Sequence, residues 1–296
     1  MLIRIDGVEY RRPEEARISV FDHGFLFGDS VYEVIRTYGG FPYEVEPHLA
    51  RLFQSAARIA LEIGRSAADL AAEIEDAVRA AALPGEAYIR LIVTRGVGAL
   101  SIDPASCAHP STVLIVKPLE PWPARYYDEG IAVRVVSVVR NEPGSVDPAI
   151  KTGNYLNSVL ALIEARRAGA DEAVMLNAHG QLTESTTSNV FLVKDGEVIT
   201  PALSSGILSG ITRAAVLRLC REQGIPRRET VLTAGALYAA DEAFLTSTTR
   251  GIMPIAKVDG HPIGAGRPGP LTCRLRAAFA AEVERFVAAR RQQAAG

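Results

Sequence analysis

Lysine is nearly missing from this chain. Of 32 basic residues only four are lysines, Lys117, Lys151, Lys194 and Lys257, and arginine supplies the rest. Cysteine is sparse as well: Cys107, Cys220 and Cys273 lie far apart without CxxC spacing, which points to reduced thiols and a cytoplasmic protein rather than a disulfide framework. The five histidines form no HxxxH or HxxEH pair, so metal chemistry has no support in the pattern. No apolar run reaches the roughly 18 residues of a membrane helix. The opening MLIRIDGVEY alternates like a strand, unlike a secretion signal. No basic tail or stripe is present to meet nucleic acid, and the formal net charge is −2.

What is present is a chain of 296 residues with 48% hydrophobic content, enough for two modest domains or one large one. MLIRIDGVEYR reads as two short strands about a DG turn. HLARLFQSAARIALEI carries Leu49, Leu52, Phe53, Ala56, Ile59 and Ala60 at helical spacing. A second helix follows Ser66, with Asp69 in the capping-box position. AYIRLIVTRG and STVLIVKPL read as strands. KPLEPWPARYYDEG, with three prolines, reads as an interdomain linker over 118–126. Domains are thus expected at 1–117 and 127–296. The second reads as strands and helices around a partly barrel-like sheet, closed by a helix from about Leu271 to Arg291.

Lys151 stands in AIKTGNYLNS, after a strand and loop and ahead of NYLNSVLALIEA, whose apolar residues are expected to form a buried helix face. No acidic residue follows at three or four places to pair with it. Further on, GQLTESTTSNVFLV carries Glu184 into an apolar strand, where a buried carboxylate needs a partner. A pyridoxal phosphate site requires a lysine and a carboxylate at opposite sides of one ring. The amine forms a Schiff base with the aldehyde, and the carboxylate keeps the pyridine nitrogen protonated. SSGILSGITRAAVLRL adds a small Gly-rich loop running into a helix near Ile211 and Thr212, a phosphate-binding arrangement, and LTSTTRG offers a second loop of hydroxyls.

This ordered set resembles the class IV, fold-type IV pyridoxal-phosphate enzymes. The likeness is carried by FDHGFLFGDSVYEVIRTYGG, HLARLFQSA, AYIRLIVTRGVGALSIDP, KTGNYLNSVLA, DEAVMLNAHGQLTESTTSNVFLV, SGILSGITR and FLTSTTRGIMPI. It implies an α+β fold of two domains, a small α/β domain and a larger one around a pseudo-barrel sheet, with pyridoxal 5′-phosphate as cofactor and a homodimer as the assembly. It implies Lys151 as the Schiff-base lysine and proton shuttle and Glu184 on the pyridine nitrogen. Arg51, Ile211, Thr212 and Thr248 would hold the phosphate, Tyr155 the ring hydroxyl and Leu208 the ring face. Tyr32, Tyr88, Arg90 and Thr249 would serve the substrate.

Within the family, D-amino acid aminotransferases carry an Arg-x-His pair in the loop after TRG. Here TRGVGALSIDP puts Leu100 and Ile102 at those places, which is similar to the branched-chain type and implies ping-pong transamination of branched-chain L-amino acids with 2-oxoglutarate or another keto acid. GDSVYEVIR is closer to the D-specific members, so a D-amino acid aminotransferase stands second. An aminodeoxychorismate lyase on the same lysine–glutamate site stands behind it, and a cofactor-free binding module of the same fold is the reading from another class.

Overall fold

The computed structural model describes residues 1–295. Its chain divides into two compact units. One holds 1–120, 150–154 and the stretch from Val287 onward; the other holds 121–149 and 155–286. A single crossing at 118–126 therefore does not describe the division, because the pentapeptide containing Lys151 and the end of the last helix belong with the first unit.

The first unit is built on a six-stranded antiparallel sheet in the order Val8–Tyr10, Leu2–Ile5, Ser111–Pro118, Ala87–Thr94, Ser30–Tyr38, Phe41–Pro42. Its opening hairpin turns at Asp6 and Gly7, both at positive φ, as a DG turn requires. Val31, Ile35, Ile89, Leu91 and Val93 alternate onto one face. They pack there on Leu49, Leu52 and Ala56 of the helix Val45–Arg58 and on Leu70, Ile74 and Ala77 of the helix Ala67–Ala81. Ser66 and Asp69 form the reciprocal capping box that the spacing predicts. The first of these helices is shorter than its apolar pattern suggests: it stops at Arg58, and Ala60 turns to positive φ so that Leu61 and Ile63 enter the core from a loop.

In the second unit a nine-stranded sheet runs Arg227–Thr230, Glu197–Pro201, Asn189–Lys194, Glu242–Ser247, Gly251–Val258, Ile131–Val135, Glu172–Leu176, Leu182–Ser185, with His261–Pro262 beside Gly251–Val258. Leu182–Ser185 also returns to Asn189–Lys194 through one pair, Glu184 opposite Asn189, so six of these strands close into a ring. The barrel-like sheet expected from sequence is present, and Glu184 lies on its seam.

The helix Leu156–Arg167 corrects one expectation. Its buried face is small, Ser158, Ala161 and Ala165, set against the strands Ile131–Val135 and Glu172–Leu176. Leu156, Val159, Leu160 and Ile163, at i, i+3, i+4 and i+7, form an exposed apolar stripe instead. The small residues allow close approach to the sheet, which leaves the large ones outside. The last helix runs Pro270–Ala295, beyond the expected stop at Arg291. Arg290 holds its end, bonding Glu75 at 2.6 Å and lying over the Phe41 ring. Of RRQQAAG, expected to fray, Gly296 lies outside the described residues. No helix among the described residues is long and apolar enough to cross a membrane.

Candidate active site

Lys151 sits at the sheet edge of the first unit. Its carbonyl accepts from Tyr32 N–H at 3.0 Å and its own N–H donates to Ser55 Oγ at 3.1 Å, while Gly153 N–H donates to Ser30 O. The backbone is thereby fixed to the strand Ser30–Tyr38 and the helix Val45–Arg58. The side chain is half-buried, and its Nζ lies 4.6 Å from the Tyr32 ring centroid. No carboxylate pairs with that amine among the described residues.

The register explains which neighbours Lys151 has. Tyr32, Val34 and Arg36 stand opposite Ile92, Arg90 and Tyr88, so Tyr32, Tyr88 and Arg90 project from the face away from the helices. Arg90 stacks on Tyr32 at 3.9 Å, and Lys117 lies 5.6 Å from the Tyr88 ring. A cationic, aromatic surface results.

Arg51, on the helix Val45–Arg58, reaches Glu33 of the strand Ser30–Tyr38. Its Nε and Nη2 donate to the two oxygens of Glu33, each at 2.7 Å, and His48 Nδ1 meets Glu33 Oε2 at 2.7 Å. All three side chains are buried. Burial alone would raise the Glu33 carboxyl, but the Arg51 guanidinium and the His48 hydrogen bond outweigh it and hold it at about 2, below the ordinary 4.5. Burial pushes the His48 imidazole down, helped by the charges of Arg51 and Lys151 against the pull of Glu33. A depressed acid stabilises the fold above its unfolded value and loses that contribution as pH falls through its folded value. Glu33 is thus worth about 3 kcal/mol at neutral pH, lost on descending from about 4.5 to about 2. Glu33→Gln is expected to remove most of it and to flatten the acid limb of denaturant-measured stability. An unchanged acid limb would assign that stability elsewhere.

In the second unit Glu184 is buried and accepts four hydrogen bonds. Oε1 accepts from Arg140 Nη2 at 2.8 Å and Nε at 3.2 Å; Oε2 accepts from Leu208 N–H at 3.0 Å and Asn189 Nδ2 at 3.3 Å. Arg140 reaches Asn157 Oδ1 with its remaining nitrogen. Sequence reasoning missed Arg140, although the demand that a buried carboxylate find a partner was a signal for a cation, and Arg140 closes the apolar run IAVRVVSVV.

The loop at 206–210 leads from Leu208 into the helix Ile211–Glu222, whose N-cap, Gly210, brings no side-chain cap. The N–H groups of Ile211 and Thr212 have no acceptor among the described residues, so the helix presents free donors and its positive dipole end. Within the second unit, those free N–H donors and the buried Glu184 carboxylate held by Arg140 are groups of the kind that a phosphate and a pyridinium nitrogen take, and the first unit's Lys151 carries an amine of the kind that an aldehyde takes. Tyr155 stands half-buried at the N-cap of Leu156–Arg167. Thr248 and Thr249 occupy the turn between Glu242–Ser247 and Gly251–Val258. Arg250, also missed from sequence, anchors that turn: it bonds Glu172 Oε2 at 2.5 Å and Ser188 Oγ at 3.1 Å, and lies 4.6 Å from the Trp122 ring centroid. Thr186 Oγ1 donates to the other oxygen of Glu172, so the turns at 185–188 and 248–250 share one buried ion pair.

The amino-transferase class IV family model matches residues 30–258. This chain belongs to that family. It is a transaminase, and class IV aminotransferases use pyridoxal 5′-phosphate. A putative branched-chain-amino-acid aminotransferase of Methanocaldococcus jannaschii is 41% identical over 279 residues, 94% of this chain and 95% of its own. Among solved structures, the branched-chain amino acid aminotransferase of Escherichia coli superimposes with a TM-score of 0.90 at 35% identity, covering 94% of this chain and 93% of that one. The branched-chain aminotransferase of Thermoproteus uzoniensis, solved with norvaline, gives 0.89 at 33%, covering 96% and 94%. The fold-type IV assignment made from sequence holds.

Proposed function

We propose that this transaminase takes branched-chain L-amino acids as donors and passes the amino group to 2-oxoglutarate or another keto acid by a ping-pong mechanism, as a cytoplasmic homodimer. The observation that carries the substrate class is the apolar loop after Thr94. Leu100 and Ile102 stand there 73% and 86% exposed, with no side-chain cation at either place to grip a carboxylate. Aliphatic side chains suit such a loop, each buried methylene contributing about 0.8 kcal/mol. The branched-chain names of the Methanocaldococcus jannaschii and Escherichia coli relatives support the same reading, and the 34% identical D-alanine aminotransferase of Bacillus licheniformis keeps the D-specific alternative in the test.

When bound, the cofactor supplies an aldehyde for the amine and a ring that draws electrons from the substrate Cα. Lys151 holds the cofactor through its Nζ, and as a free amine carries the proton from the substrate carbon. Glu184, held in place by Arg140, would face the pyridine nitrogen and favour its protonated form. Ile211 and Thr212, with Thr248, hold the phosphate. Arg51 joins them as a guanidinium already fixed by Glu33. Tyr155 bonds the ring hydroxyl and Leu208 covers the ring. Tyr32, Tyr88 and Arg90 line the substrate side, and Thr249 meets the substrate carboxylate through its backbone.

The test is a panel of L- and D-amino acids against 2-oxoglutarate and pyruvate. Activity with L-Leu, L-Ile and L-Val is expected. Turnover of D-Ala or D-Glu in their place overturns the stereochemistry, and pyruvate release from aminodeoxychorismate without an acceptor makes the protein a lyase.

For the assembly, the exposed stripe Leu156, Val159, Leu160 and Ile163 and the exposed loop at 97–102 offer apolar surface to a second copy, whose loop near Leu100 would complete the neighbouring site. Leu160→Glu is expected to shift the protein to monomer on size-exclusion chromatography with loss of activity. A fully active parent monomer would contradict the dimer.

A further inference from the structure

Asn189 does more than begin a strand. It is buried, it forms the one pair, with Glu184, that closes the ring, and it stands opposite Thr246 on its other side. Its Nδ2 donates to Leu208 O at 2.9 Å and to Glu184 Oε2 at 3.3 Å, while Leu208 N–H donates to the same Glu184 oxygen. Both backbone groups of Leu208 are thus held by the Glu184–Asn189 pair. The other end of the amide meets the helix cap: a Cβ on Gly210 would lie 2.0 Å from Asn189 Oδ1. Gly210 has an ordinary extended backbone, φ −73° and ψ 138°, which any residue adopts. Its lack of a side chain is therefore required by Asn189 and not by backbone strain.

We propose that Asn189 is a positioning residue that sets the acid at 184 and the free helix N–H groups at Ile211 and Thr212 in register with each other, so that one rigid unit grips the cofactor at its ring nitrogen and at its phosphate. This rests on the assignment of Glu184 and Ile211–Thr212 as cofactor contacts. No other residue type does the same work. Aspartate cannot donate and sets a second negative charge against Glu184. Alanine leaves Leu208 O and Glu184 Oε2 each short of a donor.

The experiment compares the parent with Asn189→Ala, Gly210→Ala and the double variant. Affinity of the apoprotein is titrated for pyridoxal 5′-phosphate and for pyridoxal, which lacks the phosphate, and the visible spectrum of each loaded protein is followed against pH. Asn189→Ala is expected to weaken pyridoxal 5′-phosphate binding about tenfold or more, the equivalent of a lost buried hydrogen bond, and to weaken pyridoxal binding less. It is also expected to displace the pH dependence of the visible band, since Glu184 loses a donor. Gly210→Ala should weaken binding by pushing on Oδ1, and Asn189→Ala should suppress that effect, leaving the double variant no worse than Asn189→Ala alone. Additive losses in the double variant, or an unchanged affinity and spectrum in Asn189→Ala, would overturn the inference. Should Asn189→Ala fail to fold, Gly210→Ala carries the test, because its only severe clash is with the amide. A parent that acquires no visible band with pyridoxal 5′-phosphate would refute the underlying assignment. A parent that loads, with Glu184→Gln and Thr212→Ala each weakening it and Asn189→Ala not, would refute this inference alone.

Discussion

Lys151→Ala is expected to abolish transamination while leaving the protein folded. The loss should exceed about 10⁴-fold, because one substitution removes both the covalent anchor and the group that moves the proton. The fold should hardly notice. What ties residue 151 to its surroundings is backbone: the carbonyl to Tyr32 and the N–H to Ser55. An alanine keeps both, and the amine it deletes has no ion-pair partner among the described residues to strand. The circular dichroism spectrum and melting temperature should therefore match the parent within a few degrees. Near-normal turnover in this variant would remove Lys151 from the mechanism, and a collapsed fold would show that the side chain is structural.

Glu184→Gln is expected to be the opposite kind of variant, costly to both chemistry and fold. The carboxylate accepts four hydrogen bonds, two from Arg140 and one each from Leu208 and Asn189. A neutral amide has one accepting oxygen, so an NH₂ must face either the guanidinium or the Leu208 and Asn189 donors. Breaking a buried pair on one side only costs about 3–5 kcal/mol, since the remaining charge is left uncompensated. Arg140, whose side chain is 14% exposed, retains some water, which places the expected loss toward the lower end. Turnover should fall by at least about 10²-fold, with the cofactor still bound, because the ring nitrogen loses its anionic partner. Denaturant melts and single-turnover spectra read the two effects separately. Turnover equal to the parent's would show that the acid plays no electronic part.

The sequence disclosed local features well. The DG turn, the Ser66–Asp69 capping box and the strands at 2–10, 87–94 and 111–118 follow from short-range chemistry and are where the pattern puts them, whereas the strand Ser30–Tyr38 is not read from it. Lys151 and Glu184 drew notice through their surroundings, the lysine for want of a nearby acid and the glutamate for entering an apolar strand, and the burial expected of Glu184 is present. What sequence could not deliver were partners distant along the chain. Arg140 and Glu184 are 44 residues apart, and Arg250 and Glu172 are 78 apart. One arginine among many gives no sign of which carboxylate it will meet. Helix Leu156–Arg167 misled for a different reason. Periodicity finds two faces but does not say which is inside, and the assumption that leucine and isoleucine go inward fails where alanine and serine let a helix press close to a sheet. Arg51 lay between these cases: its helix was legible, but its bidentate hold on Glu33, across the sheet–helix interface, was not.

The ring of strands in the second unit has one narrow join, the pair Glu184 and Asn189. A cylinder fastened by one strand pair and the adjoining Ser185 N–H to Ser188 O bond gives that short join little freedom to drift: inserting or deleting a residue in it would shift the register and turn the acid away in the same stroke. Length variation among descendants of this chain must accordingly be absorbed elsewhere, in loops that neither hold the wall together nor aim a reactive group.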